Sequence, residues 1–481
     1  MTLWTATEIA RICDGTAQHE ALINGISIDT RALAQGDLFV ALTAQRDGHD
    51  FVRSALDAGA GAALVSRVPD GCGPQDALIV VADVQAALEA LGRAGRARSK
   101  ARVVAVTGSV GKTSTKEMLR SVLAKQGKVH AAEASFNNHW GVPITLARLP
   151  RDADFAVIEI GMNHPGEIAP LARMARPHIA LITTVAPAHL EAFDNLAGIA
   201  DEKAAIFLGL EPGGTAVVPL GLDVSERLLT AARHSPAQDI LTFGPVDGAD
   251  FALTRALIQN DTTVVEARTG GRDLVFKVNT PGRHFGTNAL GVLAVTQALG
   301  CELAIVAMDL GHWAPPEGRG ARQSVQMDMV DASQSFDLFD DAFNANPTST
   351  AVALEMLAAQ TPHDGVGRVK RGRRVAILGD MLELGVDEYA MHAALADLPS
   401  MKEVDVVHLA GPRMAALRDA LARDKRGEWH ESASELAARA RHLIDAGDIV
   451  LVKGSKGSKV SLVVEALKKL AQPGAASAMK E

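Results

Sequence analysis

The sequence predicts an α/β protein: three α/β domains in series, a central P-loop NTPase-like parallel sheet and a C-terminal Rossmann-like domain. Three observations predict it. The chain has 481 residues, 47% hydrophobic and 22% charged, which is too long for one core and too apolar for disorder. The runs "RVVAVTG", "FAVIEIG" and "HIALITTV" are apolar without alternation, as strands buried on both faces of a parallel sheet are, and helical segments lie between them as crossovers. The same strand–helix alternation restarts after "HWAPPEGRGARQ" (312–323), whose adjacent prolines and paired glycines mark a boundary.

Taken in order, residues 1–100 mix short strands ("LFVAL", "AALVS", "ALIVV") with amphipathic helices. They end in the basic helical stretch "LGRAGRARSKAR", read as a connector whose arginines form a solvated face. Residues 101–314 form the central domain. Residues 315–481 carry "FDLFDD", "RRVAILGD", "VDVVHLAG" and "DIVLVKG" as the strands of the third domain, and the tail "AQPGAASAMKE" reads as frayed. A net charge of −9 argues against general attraction to nucleic acid or anionic lipid, so an anionic ligand must be held by local loops and helix ends. Cys13, Cys72 and Cys301 are too scattered for a metal pair or a disulfide framework and are expected as reduced thiols. The start has no signal-peptide pattern, and no stretch approaches the roughly 18 apolar residues of a membrane span. These features predict a cytoplasmic protein with no membrane insertion.

The chemistry begins at "VVAVTGSVGKTSTKEML" (103–119). Val106 stands where the strict G-x-x-x-x-G-K-[ST] motif has its first glycine, but Gly108, Gly111, Lys112 and Thr113 are in place. Glycines let the backbone amides of the turn, Ser109 and Val110 included, face phosphates, and the start of the following helix, with Ser114, adds positive potential. Lys112 can reach the β/γ oxygens and Thr113 can ligate Mg²⁺. This much leaves kinase, hydrolase, ligase and switch open. Glu159 closes the strand "FAVIE", at the rim where parallel sheets bind ligands, and carboxylate oxygens suit Mg²⁺. His189 follows another strand end, and Lys203 lies on a helix beside Ile206 and Phe207; neither carries an argument alone.

The stretches "TGSVGKTSTKEML", "VIEIGMNHPGEI", "AHLEAF…EKAAIF", "GRHFGTNALGVLA", "DDAFNANPTS" and "LGDMLELG" occur in the order expected of the Mur ligases, the ATP-dependent amino-acid ligases of peptidoglycan precursor synthesis. The resemblance runs from "ISIDTRALAQGDLFVAL" at residue 26 to "LVKGSKGSK" near 459. "SFNNHWGVPITL", "NHPGEI" and "NANPTS" resemble the member that adds a terminal dipeptide. The resemblance implies an ADP-forming peptide ligase with UDP-N-acetylmuramoyl-tripeptide and D-alanyl-D-alanine as partners, acting in cell-wall synthesis and hence in cell shape and division. It implies an acyl-phosphate intermediate and a monomer.

It also implies roles at matching positions. Lys112 and Thr113 would bind the ATP phosphates and Mg²⁺, with Glu159 and His189 near the metal. Lys203 would be carbamylated by CO₂ and help hold a second Mg²⁺. Asn288 would lie beside the adenine, Arg319 would reach the nucleotide from the domain junction, and Asp341 would contact the ribose. Ser27, Thr30 and Arg31 of "SIDTR", with Asp47, Gly48 and His49 of "RDGHDF", resemble UDP-sugar-binding loops, Asn137 and Asn138 resemble contacts to the muramoyl peptide, and the loop "KGSKGSK" (453–459) would meet the incoming dipeptide or the peptide carboxylate. One departure is Phe343, where the family pattern leads us to expect tyrosine before "NANP".

Overall fold

The computed structural model describes residues 2–132, 135–187, 190–259 and 261–471. Among the described residues three large sheets occur in chain order, beside a two-stranded antiparallel pair of Trp4–Thr5 with Leu22–Ile23. The first has parallel strands Gly25–Ser27, Asp37–Val40, Ala62–Val65 and Leu78–Val80, with Thr16–Ala17 antiparallel on its edge. The second has nine strands. Its parallel part runs, in spatial order, Phe251–Gln259, Ala237–Gly244, Gly214–Pro219, Ile179–Ile182, Arg102–Thr107, Phe155–Glu159 and Val129–Ala131. Arg102–Thr107, which precedes the glycine turn, lies in its interior, and Val103–Val106 are fully buried. That burial on both faces is why the run reads as unbroken hydrophobicity.

One feature of this sheet was not foreseen. Strands Thr262–Thr269 and Arg272–Val278 extend it as an antiparallel meander, because "RTGGRD" (268–273) permits a tight reversal with both Gly270 and Gly271 at positive φ. Apolar clusters fill both faces, one around Ile158 and Phe207 and the other around Leu181 and Phe243.

The third sheet has parallel strands Ser335–Asp341, Ile449–Lys453, Arg374–Gly379, Val406–Ala410 and Arg426–His430, with Ala321–Gln326 antiparallel at one edge. The four strands expected there are present. Ala321–Gln326 and Arg426–His430 were missed because their runs, "ARQSVQ" and "RGEWH", are polar, as sheet-edge strands can be.

The connector needs a correction. It is the end of helix Val84–Arg98, and its arginines are not uniformly solvated. Arg96 is buried and donates to the carbonyls of Ala175 and Arg176, two ends left open by the helix Ile168–Ala175. Arg98 donates to Leu3 O and lies 3.3 Å from the centroid of the Trp4 ring. Gly92 and Gly95 let this helix approach helix Gly141–Ala147 so closely that a Cβ on Gly92 would lie 2.9 Å from Pro143 O. The first sheet is thereby fastened to the second, and Trp4 Nε1 donates across that seam to Ala147 O at 2.9 Å.

Candidate active site

The glycine turn is built by close approach. Gly108 has φ +152°, and a Cβ there would collide with the Thr183 hydroxyl. Gly111 has φ +87° and caps helix Lys112–Leu123; its Cβ would stand 2.9 Å from Asn288 Nδ2. The turn is held from behind. Ser109 N–H donates to Thr184 O, the Ser109 hydroxyl donates to Ala186 O, and the Thr183 hydroxyl donates to Val110 O. Lys112 folds back so that its ammonium donates to Gly108 O at 2.6 Å. Burial pushes that ammonium down to about 8, with Glu159 opposing the shift and Arg319 reinforcing it.

Glu159 is 1% exposed. Its Oε1 accepts from the Thr113 hydroxyl at 3.2 Å and from Asn137 Nδ2 at 2.7 Å. Its Oε2 is equally buried and accepts from no described residue. A charged oxygen left without a donor in the interior is costly unless something else binds it. Thr113 Oγ1 also lies 3.4 Å from Ser135 Oγ, which receives Arg319 Nη2 at 3.3 Å. An oxygen-donor pair, Thr113 and Glu159, beside a glycine cradle fits Mg²⁺ with a polyphosphate. Among the described residues no group of three His, Cys, Asp or Glu side chains forms a metal cluster.

The third sheet supplies the facing wall. Asp341 and Lys453 are register partners on adjacent parallel strands and form an ion pair at 2.7 Å. Burial raises the Asp341 carboxyl while Lys453 and Arg319 pull it back. Phe343 lies flat beneath Arg319, whose guanidinium carbon is 3.8 Å from the ring centroid. The ring is a platform for the cation, a role that needs no hydroxyl. Burial lowers Arg319, with Glu159 and Asp341 opposing.

Ser109, Val110, Gly111, Lys112 and Ser114 line one cavity of about 480 Å³, and Glu159, Asn288, Arg319 and Asp341 line it too. Asn137 and Asn138 reach it at the Glu159 end. Asn138 also caps its own turn, its Oδ1 accepting from Gly141 N–H at 2.9 Å. Gly108 and Thr113 are not among the cavity's lining residues. Lys203, on helix Leu196–Ala204, is 1% exposed; burial and the charge of Lys112 push its ammonium well down, with Glu202 opposing. His189 lies outside the described residues.

Ser27, Thr30, Arg31, Asp47, Gly48 and His49 are not part of this cavity. They gather instead in two loops following adjacent strands of the first sheet, Gly25–Ser27 and Asp37–Val40. Asp29 caps the turn Thr30–Ala32 and pairs with the exposed Arg31. Asp47 accepts from His49 N–H and from Arg67. Ser66 N–H donates to His49 Nε2 at 3.0 Å, so Nδ1 carries the ring hydrogen and donates to Asp47 at 2.7 Å. His49 is therefore a buried brace for the loop, while Arg31 is exposed.

One contributor, Ser135, sits within "SFNNHWG" and gives no signal of its own in the sequence. Lys453, the first residue of the loop "KGSKGSK", closes the strand "IVLVK" as Glu159 closes "FAVIE", and pairs there with Asp341.

Residues 22–100 match the Mur ligase family catalytic domain, 106–296 the Mur ligase middle domain, and 327–456 the Mur ligase glutamate ligase domain. The UDP-N-acetylmuramoyl-tripeptide–D-alanyl-D-alanine ligase of Escherichia coli (strain K12) is 34% identical over 470 residues, 96% of this chain and 98% of that one. The chain belongs to the Mur ligase family. Among solved Mur ligases, MurF from Acinetobacter baumannii superposes with a TM-score of 0.80 at 29% identity, covering 97% of this chain and 99% of that one. MurF from Thermotoga maritima, solved in complex with ADP, gives 0.76 at 25% identity over 93% and 97% of the two chains.

Proposed function

We infer that this Mur ligase joins D-alanyl-D-alanine to UDP-N-acetylmuramoyl-tripeptide, converting ATP to ADP and phosphate. The product is the UDP-muramoyl-pentapeptide of peptidoglycan synthesis. The observation that carries the reading is the near-full-length likeness to a ligase of that name, on a chain whose cavity joins Lys112 and Glu159 to Arg319 and Asp341.

A carboxylate is a poor electrophile at neutral pH, so the tripeptide's terminal carboxylate must first become an acyl phosphate. Its attack on the γ-phosphorus concentrates negative charge between the glycine turn and Arg319. Lys112 offsets that charge, and the turn amides and helix start fix the β- and γ-phosphates. Thr113, Glu159 and His189, with carbamylated Lys203, would hold Mg²⁺, which would supply Lewis-acid neutralisation of that charge. Asn137 holds Glu159 in place. Asn288 and Asp341 orient the nucleoside, and Asn138 meets the muramoyl peptide. The amine of D-alanyl-D-alanine then attacks the acyl carbon, the C–N bond forms, the amine gives up a proton, and phosphate leaves.

Residues 1–100 would hold the UDP-sugar through Ser27, Thr30, Arg31 and the Asp47–His49 loop. Residues 101–314 would carry out phosphoryl transfer, and 315–481 would close the site. Lys203 would be carbamylated: a buried amine driven toward its neutral form is the species that reacts with CO₂, and the carbamate would face Lys112 as an anion. A ¹³C carbamate resonance from labelled bicarbonate, lost in Lys203→Ala, tests this. The free thiols Cys13, Cys72 and Cys301 support a reducing, cytoplasmic setting, and among the described residues no helix is long and apolar enough to cross a membrane. We read the enzyme as a monomer, testable by sedimentation.

The deciding assay is phosphate release with UDP-N-acetylmuramoyl-tripeptide, with and without D-alanyl-D-alanine. Release needing both, with pentapeptide appearing in step, is expected. Dependence on a single amino acid in place of the dipeptide would reassign the chain within its family.

A further inference from the structure

The motifs "NHPGEI" (163–168) and "NANPTS" (344–349) each open on an asparagine, and the fold brings the two asparagines to one place. Asn163 and Asn344 both line the 480 Å³ cavity, and both line a second one, of about 220 Å³, that opens beside it. Asn163 follows strand Phe155–Glu159 of the central sheet, and Asn344 follows strand Ser335–Asp341 of the third. They approach the junction of the cavities from different sheets. Lys112 lines both cavities as well, so this junction is the phosphate end of the larger one.

At both asparagines the main chain is pinned and the side chain is unengaged. Asn163 N–H donates to Glu167 Oε2 at 2.7 Å. Glu202 holds the same loop, accepting from Gly166 N–H at 2.7 Å and Ile168 N–H at 2.8 Å. Asn344 O accepts from Lys453 Nζ at 3.0 Å, and Asn346 caps the helix that follows. Among the described residues neither side-chain amide has a hydrogen-bond partner, and both residues are exposed. Other polar groups shared by the cavities are taken: the Ser109 hydroxyl by Ala186 O, the Lys112 ammonium by Gly108 O, and Asn346 Oδ1 by Ser349 N–H.

The acyl carbon of the acyl phosphate is two bonds from the phosphorus that Lys112 meets, so it lies at this junction. When the neutral amine attacks, the C–N bond forms and the carbonyl electron pair moves onto oxygen. That oxyanion then expels the phosphate, which leaves with the amine's proton as hydrogen phosphate. Lys112 is engaged with the departing group, and the acyl oxygen needs donors of its own. We propose that the side-chain amides of Asn163 and Asn344 donate to the acyl oxygen in the tetrahedral intermediate, one from each sheet. The proposal rests on the ligase reading above and adds two catalytic residues to it. A neutral amide N–H on a pinned loop suits the task, because its hydrogen bond strengthens as charge appears on oxygen and it needs no rearrangement.

The test is rapid-quench single turnover of full-length enzyme, following ADP and pentapeptide separately, with alanine, leucine and glutamine placed in turn at each asparagine. In Asn163→Ala, Asn163→Leu, Asn344→Ala and Asn344→Leu, pentapeptide formation should fall by about 10²-fold. ADP formation should stay within threefold of wild type, so that acyl phosphate accumulates. Asn163→Gln and Asn344→Gln, which keep a donor, should recover part of the loss. Pentapeptide formation within threefold of wild type in either alanine variant would overturn the proposal. So would ADP falling in step with pentapeptide, which places the role before the amine's attack, or recovery in the leucine variants, which means shape alone. Wild-type enzyme forming no ADP with both substrates present would sink the ligase reading itself, whereas normal products from every variant would sink only this proposal.

Discussion

Among the described residues one oxygen of Glu159 accepts two hydrogen bonds and the other accepts none, and that asymmetry gives the sharpest residue-level prediction. Glu159→Gln keeps an acceptor for Thr113 and Asn137 but puts a donor amide where a cation should sit. Turnover should fall by about 10²-fold or more, the Mg²⁺ requirement should rise, and circular dichroism should be unchanged. Gly111→Ala should fail differently. Left-handed backbone costs an alanine roughly 1–2 kcal/mol, and its methyl would press on Asn288, so calorimetry should show lost ATP binding together with a lower melting temperature. A third residue, remote from the cavity, sets a pH dependence. His408 is buried, its Nδ1 accepting from Glu428 N–H at 2.9 Å, and burial holds the imidazole down to about 4. The unfolded chain protonates near 6.5, so the native state binds fewer protons between the two values. The contribution is full above 6.5 and is lost as pH falls toward 4, by at most about 3 kcal/mol. His408→Gln should therefore melt with a shallower pH dependence across that window.

Helix Pro347–Ala358 shows how an element carries function without reacting. Asn346 accepts from Ser349 N–H at 2.8 Å, the Ser349 hydroxyl accepts from Asn346 N–H at 3.0 Å, and Pro347 occupies the first turn. Thr348, Ser349 and Val352 of the same helix face the 480 Å³ cavity. Asn346→Ala should cost about 1 kcal/mol, read as a lower urea midpoint, and should raise the KM for ATP because the frayed turn is part of the wall. The glycine-turn helix was legible in "TGSVGKTS" because a strand, two glycines and an amphipathic run specify their local geometry wherever they occur. The solvated face read for the connector failed because periodicity cannot say which polar groups its neighbours leave open. Arg96 is buried by the unpaired carbonyls of another helix.

At the scale of the whole molecule the cavity belongs to two sheets at once. Arg319 reaches Ser135 on one side and lies on Phe343 on the other. Arg319→Ala should weaken both ATP affinity and turnover; retention of both would show that this bridge does not couple the nucleotide to the third sheet. A nucleotide held between the sheets stabilises both, so a nonhydrolysable ATP analogue with Mg²⁺ at 100 times its dissociation constant should add about 2.7 kcal/mol and draw the unfolding transitions together in calorimetry. Chelating Mg²⁺ should reverse the shift.

The chain by itself determined the three-sheet α/β class, the glycine cradle with Lys112 and Thr113, and the strand-end position of Glu159. These depend on hydrophobic period, glycine and strand ends, which are properties of short segments. Only the tertiary structure decided that Asp341 meets Lys453, which is a matter of register between strands over a hundred residues apart. It also decided that Asn137 and Thr113 share one oxygen of Glu159. Such pairings are set by how sheets and helices pack, and packing geometry has no local sequence period to reveal it.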